Sequence, residues 1–346
     1  MTEQQATGDG STGARPGRRP TMSDVAEKAG VSRALVSLIF RNAPGASDST
    51  RERVFQVAKE IGYRPDTAAR TLASSRTKTL GVMLTIRNPF HADLVEACYA
   101  EADRVGYDIV LSTTVPTRDE ERAVDALVGH RCEALILFGP KTSAAYLTQL
   151  SREHPVVAVS RRVPDATLDS VHTAEAKGVR QAVDYLVKEG HRDIIHIDGG
   201  TGPGAAERRK AYRAAMRKHG LAEWVRVIPG NHTEDSGMRA AEVLLGEDSL
   251  PTAVLAANDR CALGLLGALH KAGVKVPQEV SVVGYDDSRV AMLSHIGLTT
   301  VHQNADELGR LAVRTAVERI ESPNAPAREL VLDPELRVRD TTGPPR

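Results

Sequence analysis

Arg33 stands in the stretch SDVAEKAGVSRALVSLI (residues 23–39), and at helical spacing it shares an outward face with Ser32, Ala34, Ser37 and Leu38. A guanidinium on such a face can read a base edge, and the serine hydroxyls can hold phosphate oxygens. Groups suited to catalysis are harder to find. DGGTGPG (198–204) follows an apolar run and precedes a helical pattern, where a phosphate loop would sit. It spells neither GxGxxG nor GxxxxGK[ST], so it reads as a loose turn. No GxSxG elbow occurs. His191 and His196 lie five apart across a strand start, face apart, and cannot share a zinc ion. Cys98, Cys132 and Cys261 are widely spaced, with no CxxC pair, so neither a disulfide framework nor a zinc site is expected and a reducing cytoplasm fits. The sequence therefore predicts no catalytic residue, no metal site and no cofactor.

Two short helices must position Arg33. Val25, Ala26 and Ala29 mark the inner face of the first, Gly30 supplies a turn that favours positive φ, and Ser32 is placed to cap the second. Leu35, Val36 and Ile39 form the second inner face. A small residue, a glycine four later and an apolar residue six after that is the helix-turn-helix pattern, although a helical hairpin inside another core would also show it. TRERV (50–54) opens a third helix, capped by Ser47 or Ser49 and running to about Gly62. Thr50 and Tyr63, at its two ends, join the DNA-contact candidates. Residues 1–20, rich in Gly, Ser, Thr, Pro and charge, read as a disordered tail.

The charge is uneven. The chain carries 45 Lys+Arg and 45 Asp+Glu, but the first 80 residues hold 13 of the bases and 8 of the acids. A basic head on an acidic body suits a polyanionic partner for the head.

From Thr79 onward the pattern changes. TLGVMLTI, YDIVLS, EALILF, PVVAVS, DIIHID, TAVLAA and VSVVGY alternate with amphipathic stretches, the mark of parallel strands covered on both faces. The strands outnumber the needs of one compact sheet, which points to an α/β body of two similar lobes. No apolar run approaches the roughly 20 residues that span a bilayer, and no secretory signal is seen.

The chain resembles the lactose-repressor (LacI/GalR) family of transcription regulators. The resemblance rests on DVAEKAGVS, TRERV, GYRPDTAARTL, TKTLGVML, NPF, GHRDIIHIDGG, ERRKAYRAAM, PTAVLAANDRCALG, VPQEVSVVGYDD and LTTVHQ, which fall in the family's order across nearly everything after the tail. It implies a helix-turn-helix domain over about 21–66, a hinge helix over 67–78, and a two-lobed, periplasmic-binding-protein-like core over 79–340. Lobe 1 would take about 79–175 and 304–331, and lobe 2 about 176–303 and 332–340. It places base reading on Arg33, Ala34 and Leu38, where Leu38 departs from a frequent arginine. It makes Leu72, with Ala69 beside it, the apolar wedge that enters the minor groove at the operator centre.

For the body the resemblance implies a small-molecule effector between the lobes, most often a sugar, held at the carboxyl ends of strands. The candidates are Phe90 and His91 to stack on a ring, Arg161, Arg208 with its fork of donors, His232 where the family often has an aromatic, Asn258, Asp286 and Gln303. Asp287 reads as a helix cap, the Arg208–Lys210 cluster in part as a solvated face, and Ala174 loses a contact that the family's aspartate makes. The expectation is a cytoplasmic, homodimeric repressor of carbohydrate genes that binds double-stranded operator DNA, has no membrane partner and is not an enzyme. A purely sugar-binding protein would require secretion. An architectural DNA binder would lack the polar strand ends.

Overall fold

The structure, a computed structural model, describes residues 18, 20–41, 43–63, 76–163 and 168–346. The expected tail over 1–20, apart from Arg18 and Pro20, and the hinge positions Ala69 and Leu72 lie outside the described residues. The chain divides into two compact units, Met1–Arg76 and Thr77–Arg346.

The first unit contains α1 (Met22–Ala29), α2 (Arg33–Phe40) and α3 (Asp48–Glu60). Thr21 and Asp24 close α1 reciprocally. The Asp24 amide donates to the Thr21 hydroxyl at 3.4 Å, and the Thr21 amide donates to the Asp24 carboxylate at 2.6 Å. Gly30, at φ 65°, ends α1 in the left-handed region, and Ser32 Oγ accepts the Leu35 amide at 3.1 Å to start α2. Eight-residue helices are too short to persist alone. They are held by a core of Val25, Ala26, Ala29, Val36, Ile39, Val54, Val57 and Ala58. Ser47 is the cap of α3, which starts two residues earlier than TRERV suggests.

The second unit holds two six-stranded sheets. Sheet 1 has the order β11-β5-β4-β3-β1-β2, with β1 (Thr79–Thr85), β2 (Asp108–Thr114), β3 (Ala134–Phe138), β4 (Val156–Val159), β5 (Asp169–Thr173) and β11 (Glu329–Leu332). All its pairings are parallel. Sheet 2 has the order β12-β10-β9-β8-β6-β7, with β6 (Ile194–Ile197), β7 (Arg226–Ile228), β8 (Ala253–Leu255), β9 (Ser281–Asp286), β10 (Thr299–His302) and β12 (Glu335–Arg337). Only β12 runs antiparallel, against β10. The intervening helices are α4 (Pro89–Val105), α5 (Glu120–Gly129), α6 (Ala144–Glu153), α7 (Glu175–Lys188), α8 (Ala205–Lys218), α9 (Glu234–Leu245), α10 (Asp259–Lys271) and α11 (Ala305–Glu321). Each sheet is covered on both faces by apolar clusters, which is why its central strands read as unbroken hydrophobic runs.

The chain passes between the sheets after β5, after β10 and after β11. These passages lie side by side: the Ala174 amide donates to the Leu332 carbonyl at 2.9 Å, and Thr173 Oγ1 donates to the Gln303 carbonyl at 3.5 Å. After the last passage, the end of the chain is sewn to lobe 2 through Thr341 Oγ1 on the Val282 carbonyl and His191 Nε2 on the Gly343 carbonyl, each at 2.8 Å.

Candidate functional site

On the first unit, Arg33 and Ala34 are exposed, while Ser37 and Leu38 are half-buried on α2. Leu38 lies against the loop at Gly45. The Ser32 hydroxyl is occupied as the cap, and Thr50 Oγ1 lies 2.9 Å from Ser47 Oγ at the start of α3. The ring of Tyr63 is buried in the three-helix core, edge-on to Phe40 at 5.5 Å.

On the second unit, the polar candidates gather where strands end. Lobe 2 forms a tied wall. Arg208 is buried and donates to Glu175 (Nε to Oε2 at 2.7 Å, Nη2 to Oε1 at 3.3 Å) and to the Ala257 carbonyl at 2.7 Å. Its guanidinium lies 3.5 Å from the centre of the Tyr285 ring. Asp286 ends β9 and accepts from Gln303 Nε2 at 2.6 Å. Burial pushes the Asp286 carboxyl well above its usual range, and the nearby Arg208 charge opposes this. Asp286 and Asp287 have φ of 122° and 56°, two successive non-glycine residues in a costly conformation. Asp259 holds that turn in place. Its carboxylate accepts the Ser288 amide and hydroxyl, both at 2.8 Å, and the Thr300 hydroxyl at 2.5 Å. Gln303 Oε1 and His232 Nε2 are buried atoms without a hydrogen-bond partner. Such atoms are costly unless something else meets them.

Lobe 1 supplies His91, Lys141 and Arg161. His91 is 6% exposed and its Nδ1 accepts the Thr85 amide at 3.0 Å, which leaves the proton on Nε2. Burial first, then the charges of Lys141 and Arg260, lower its pKa to about 3. The same causes, with Arg208, lower His232 to about 3. Both rings are neutral at physiological pH. The lobes meet here: a side chain at Gly139, after β3, would press on Pro203 of the loop after β6 and approach His91 Nε2.

Several expectations are revised. Phe90 is largely taken up by the lobe 1 core, buried with Leu80, Val82, Leu94 and Phe138, because the second position of α4 faces the sheet. Asn258 spends its side-chain oxygen capping α10, accepting the Cys261 amide at 3.0 Å. Arg161 Nη1 is engaged with the carbonyls of Pro140 and Thr142. Asp287 caps no helix: it pairs with His302 at 3.0 Å and Arg339 at 2.6 Å. Arg208 belongs to no solvated face, although Lys210 is exposed and Arg209 pairs with Asp198 at 2.5 Å. DGGTGPG is not loose, since side chains at Gly199 or Gly202 would overlap His232. Ala174 leaves α7 without a side-chain cap. Sequence reasoning missed Glu175, Tyr285, Lys141 and Asp259. Asp259 alone carried a signal, sitting beside Asn258 in LAANDR.

Comparison with known proteins decides the family. Residues 21–66 match the profile of bacterial regulatory proteins of the lacI family, and 183–342 match a periplasmic binding protein-like domain. The ribose operon repressor of Escherichia coli strain K12 is 33% identical over 332 residues, which is 92% of this chain and 98% of that protein. The chain belongs to the LacI family. A LacI transcriptional regulator from a Rhodococcus species is 44% identical in sequence, with a TM-score of 0.74 over 77% of this chain and 98% of that one. The lac repressor dimer bound to operator and the anti-inducer ONPF superposes with a TM-score of 0.81 at 27% identity, over 94% of this chain and 100% of that one. As a LacI-family protein the chain is a DNA-binding transcription regulator, with a helix-turn-helix region and a periplasmic-binding-protein-like body. Among the described residues, no helix is long and apolar enough to cross a membrane, and no cluster of His, Cys, Asp or Glu could hold a metal ion.

Proposed function

We propose that the protein is a cytoplasmic repressor of carbohydrate uptake or catabolism genes that binds a palindromic operator as a homodimer and answers to a small polyhydroxylated effector between its lobes. The observation that carries this reading is the set of partnerless or half-used polar groups at the strand ends: Gln303 Oε1, His232 Nε2, the His91 Nε2 proton and the second oxygen of Asp286. They offer donors and acceptors in the mixture that hydroxyl groups need. Arg33, Ala34 and Leu38 on α2 are assigned to base edges, with Ser32, Ser37 and Thr50 toward the backbone. Leu72, with Ala69, is the proposed minor-groove wedge. Exposed apolar side chains on α4 and the edge of sheet 1 (Tyr99, Leu111, Val115) support self-association. Effector binding changes lobe closure, and so the free energy of docking two heads on one palindrome.

Selection of bound fragments from sheared host DNA at fixed salt tests the reading. An enriched palindrome near transporter or sugar-hydrolase genes is expected. Binding that only weakens with salt, with no enrichment under any effector, overturns it. On the selected fragment, Leu72→Ala should weaken specific binding by about tenfold or more while effector binding stands. Equal operator affinity would remove the wedge assignment.

A further inference from the structure

The tied wall of lobe 2 neutralises its own charge: Arg208 with Glu175, Arg209 with Asp198, and Arg260 with Glu234 are ion pairs. On lobe 1, Arg162 pairs with Glu329 at 2.8 Å. Lys141 and Arg161 differ. Among the described residues neither has a carboxylate in ion-pair range. Both line a cavity of about 450 Å³, facing Gly200–Gly204 and the first turn of α8.

The geometry around these two cations is fixed. Arg161 Nη1 donates to the Pro140 carbonyl at 2.5 Å and the Thr142 carbonyl at 2.7 Å, while the Lys141 amide donates to Glu120 at 2.7 and 2.8 Å. The loop that carries Lys141 is thereby held by its backbone on both sides, and the Lys141 side chain makes no ion pair among the described residues. Ser160, at φ 57°, lines the same cavity with a buried hydroxyl that has no partner. Across the cavity, α8 begins at Gly204 with no side-chain cap. Glu207 is a lining carboxylate outside these ion pairs, and it sits on an exposed rim. Lys141 is exposed as well and Arg161 is half-buried, so two lining cations outside ion pairs stand against one such carboxylate.

We infer that the effector carries an acidic group, a phosphate ester or a carboxylate, which sits between Lys141, Arg161, Ser160 and the Gly200–Gly204 loop. The inference rests on the interlobe effector reading and narrows its ligand class from neutral sugars to acids. Exposed Lys141 and half-buried Arg161 gain a counter-charge, and charge-assisted hydrogen bonds, when the ligand brings an anion.

The full chain is titrated with inorganic phosphate, glycolate and chloride at matched ionic strength, with thermal stability and calorimetric heat as readouts. Phosphate or glycolate should stabilise saturably beyond chloride, and the stronger of the two names the source of the acid. Lys141→Gln should weaken that binding by about tenfold or more, roughly 1.4 kcal/mol, while Lys271→Gln, an exposed lysine in the last turn of α10, leaves it unchanged. Equal effects of the three anions, or Lys141→Gln behaving as Lys271→Gln, would overturn the inference. Retention of the selected DNA fragment by the same preparation reads the regulator function separately, so failure here with DNA retention intact leaves that function standing.

Discussion

The two walls of the cleft are built differently. Lobe 2 presents side chains locked into one another: Arg208 on Glu175, Ala257 and Tyr285, Asp286 on Gln303, and Asp259 on Ser288 and Thr300. Lobe 1 presents groups anchored from behind with a polar atom left over, as buried His91 is held through Nδ1 and exposed Lys141 through its backbone. A locked wall fixes geometry for whatever hydroxyls arrive. An open wall sets which charge may come with them. Within one fold, orientation and selectivity are thus assigned to separate halves.

Removing a member of the locked wall should have the largest effect. Arg208→Ala strands the buried Glu175 carboxylate and should cost about 3–5 kcal/mol, read by urea unfolding. A loss near zero would mean that the wall is not interlocked. His91→Gln probes the open wall through pH. His91 has a pKa of about 3 when folded against 6.5 when free, so the unfolded chain binds more protons between those values. Stability that is full above pH 6.5 is therefore lost as pH falls, by about 2 kcal/mol at pH 5 from this ring. The variant should lose about that much less between pH 7 and pH 5 in paired melting curves. Parallel curves would show that His91 is not held neutral. The smallest effect concerns the rim. Arg289, before β10, pairs with Asp93 at 2.8 Å and with Glu96, both on α4 of the opposite lobe. This bridge is 63% exposed on the arginine side, so Arg289→Ala should weaken effector binding by only about twofold, less at high salt.

The legibility of these features follows from their range along the chain. TLGVMLTI, EALILF and VSVVGY could be read because strands buried on both faces leave an uninterrupted apolar run. β5 (DSVHT) and β7 (RVI) could not, since one is polar and the other is three residues long, and tertiary contacts alone make them strands. The helix-turn-helix was legible because its determinants, from Ala26 to Ile39, are local. Residues Arg208, Asp286 and Gln303 were found through motifs. Their partnerships were not, because Glu175 lies 33 residues from Arg208 and nothing in either neighbourhood announces the pairing. The core packing of Phe90 and Tyr63 was hidden for a related reason: an aromatic beside a site reads alike in sequence whether or not it also packs on the core.

The three passages between the sheets carry a consequence for synthesis. Sheet 1 has five of its strands by Thr173, yet α11, whose Leu308, Ala312, Val313 and Ala316 cover one face of it, emerges only after the whole of residues 174–304. On the ribosome, the part of that face beyond the reach of α4 waits through some 130 further residues, about ten seconds at ordinary elongation rates, before α11 can shield it. The nascent protein is therefore a natural client for chaperones that bind exposed apolar surface. A premature stop between β6 and β11 would release two incomplete lobes rather than one finished lobe and one missing.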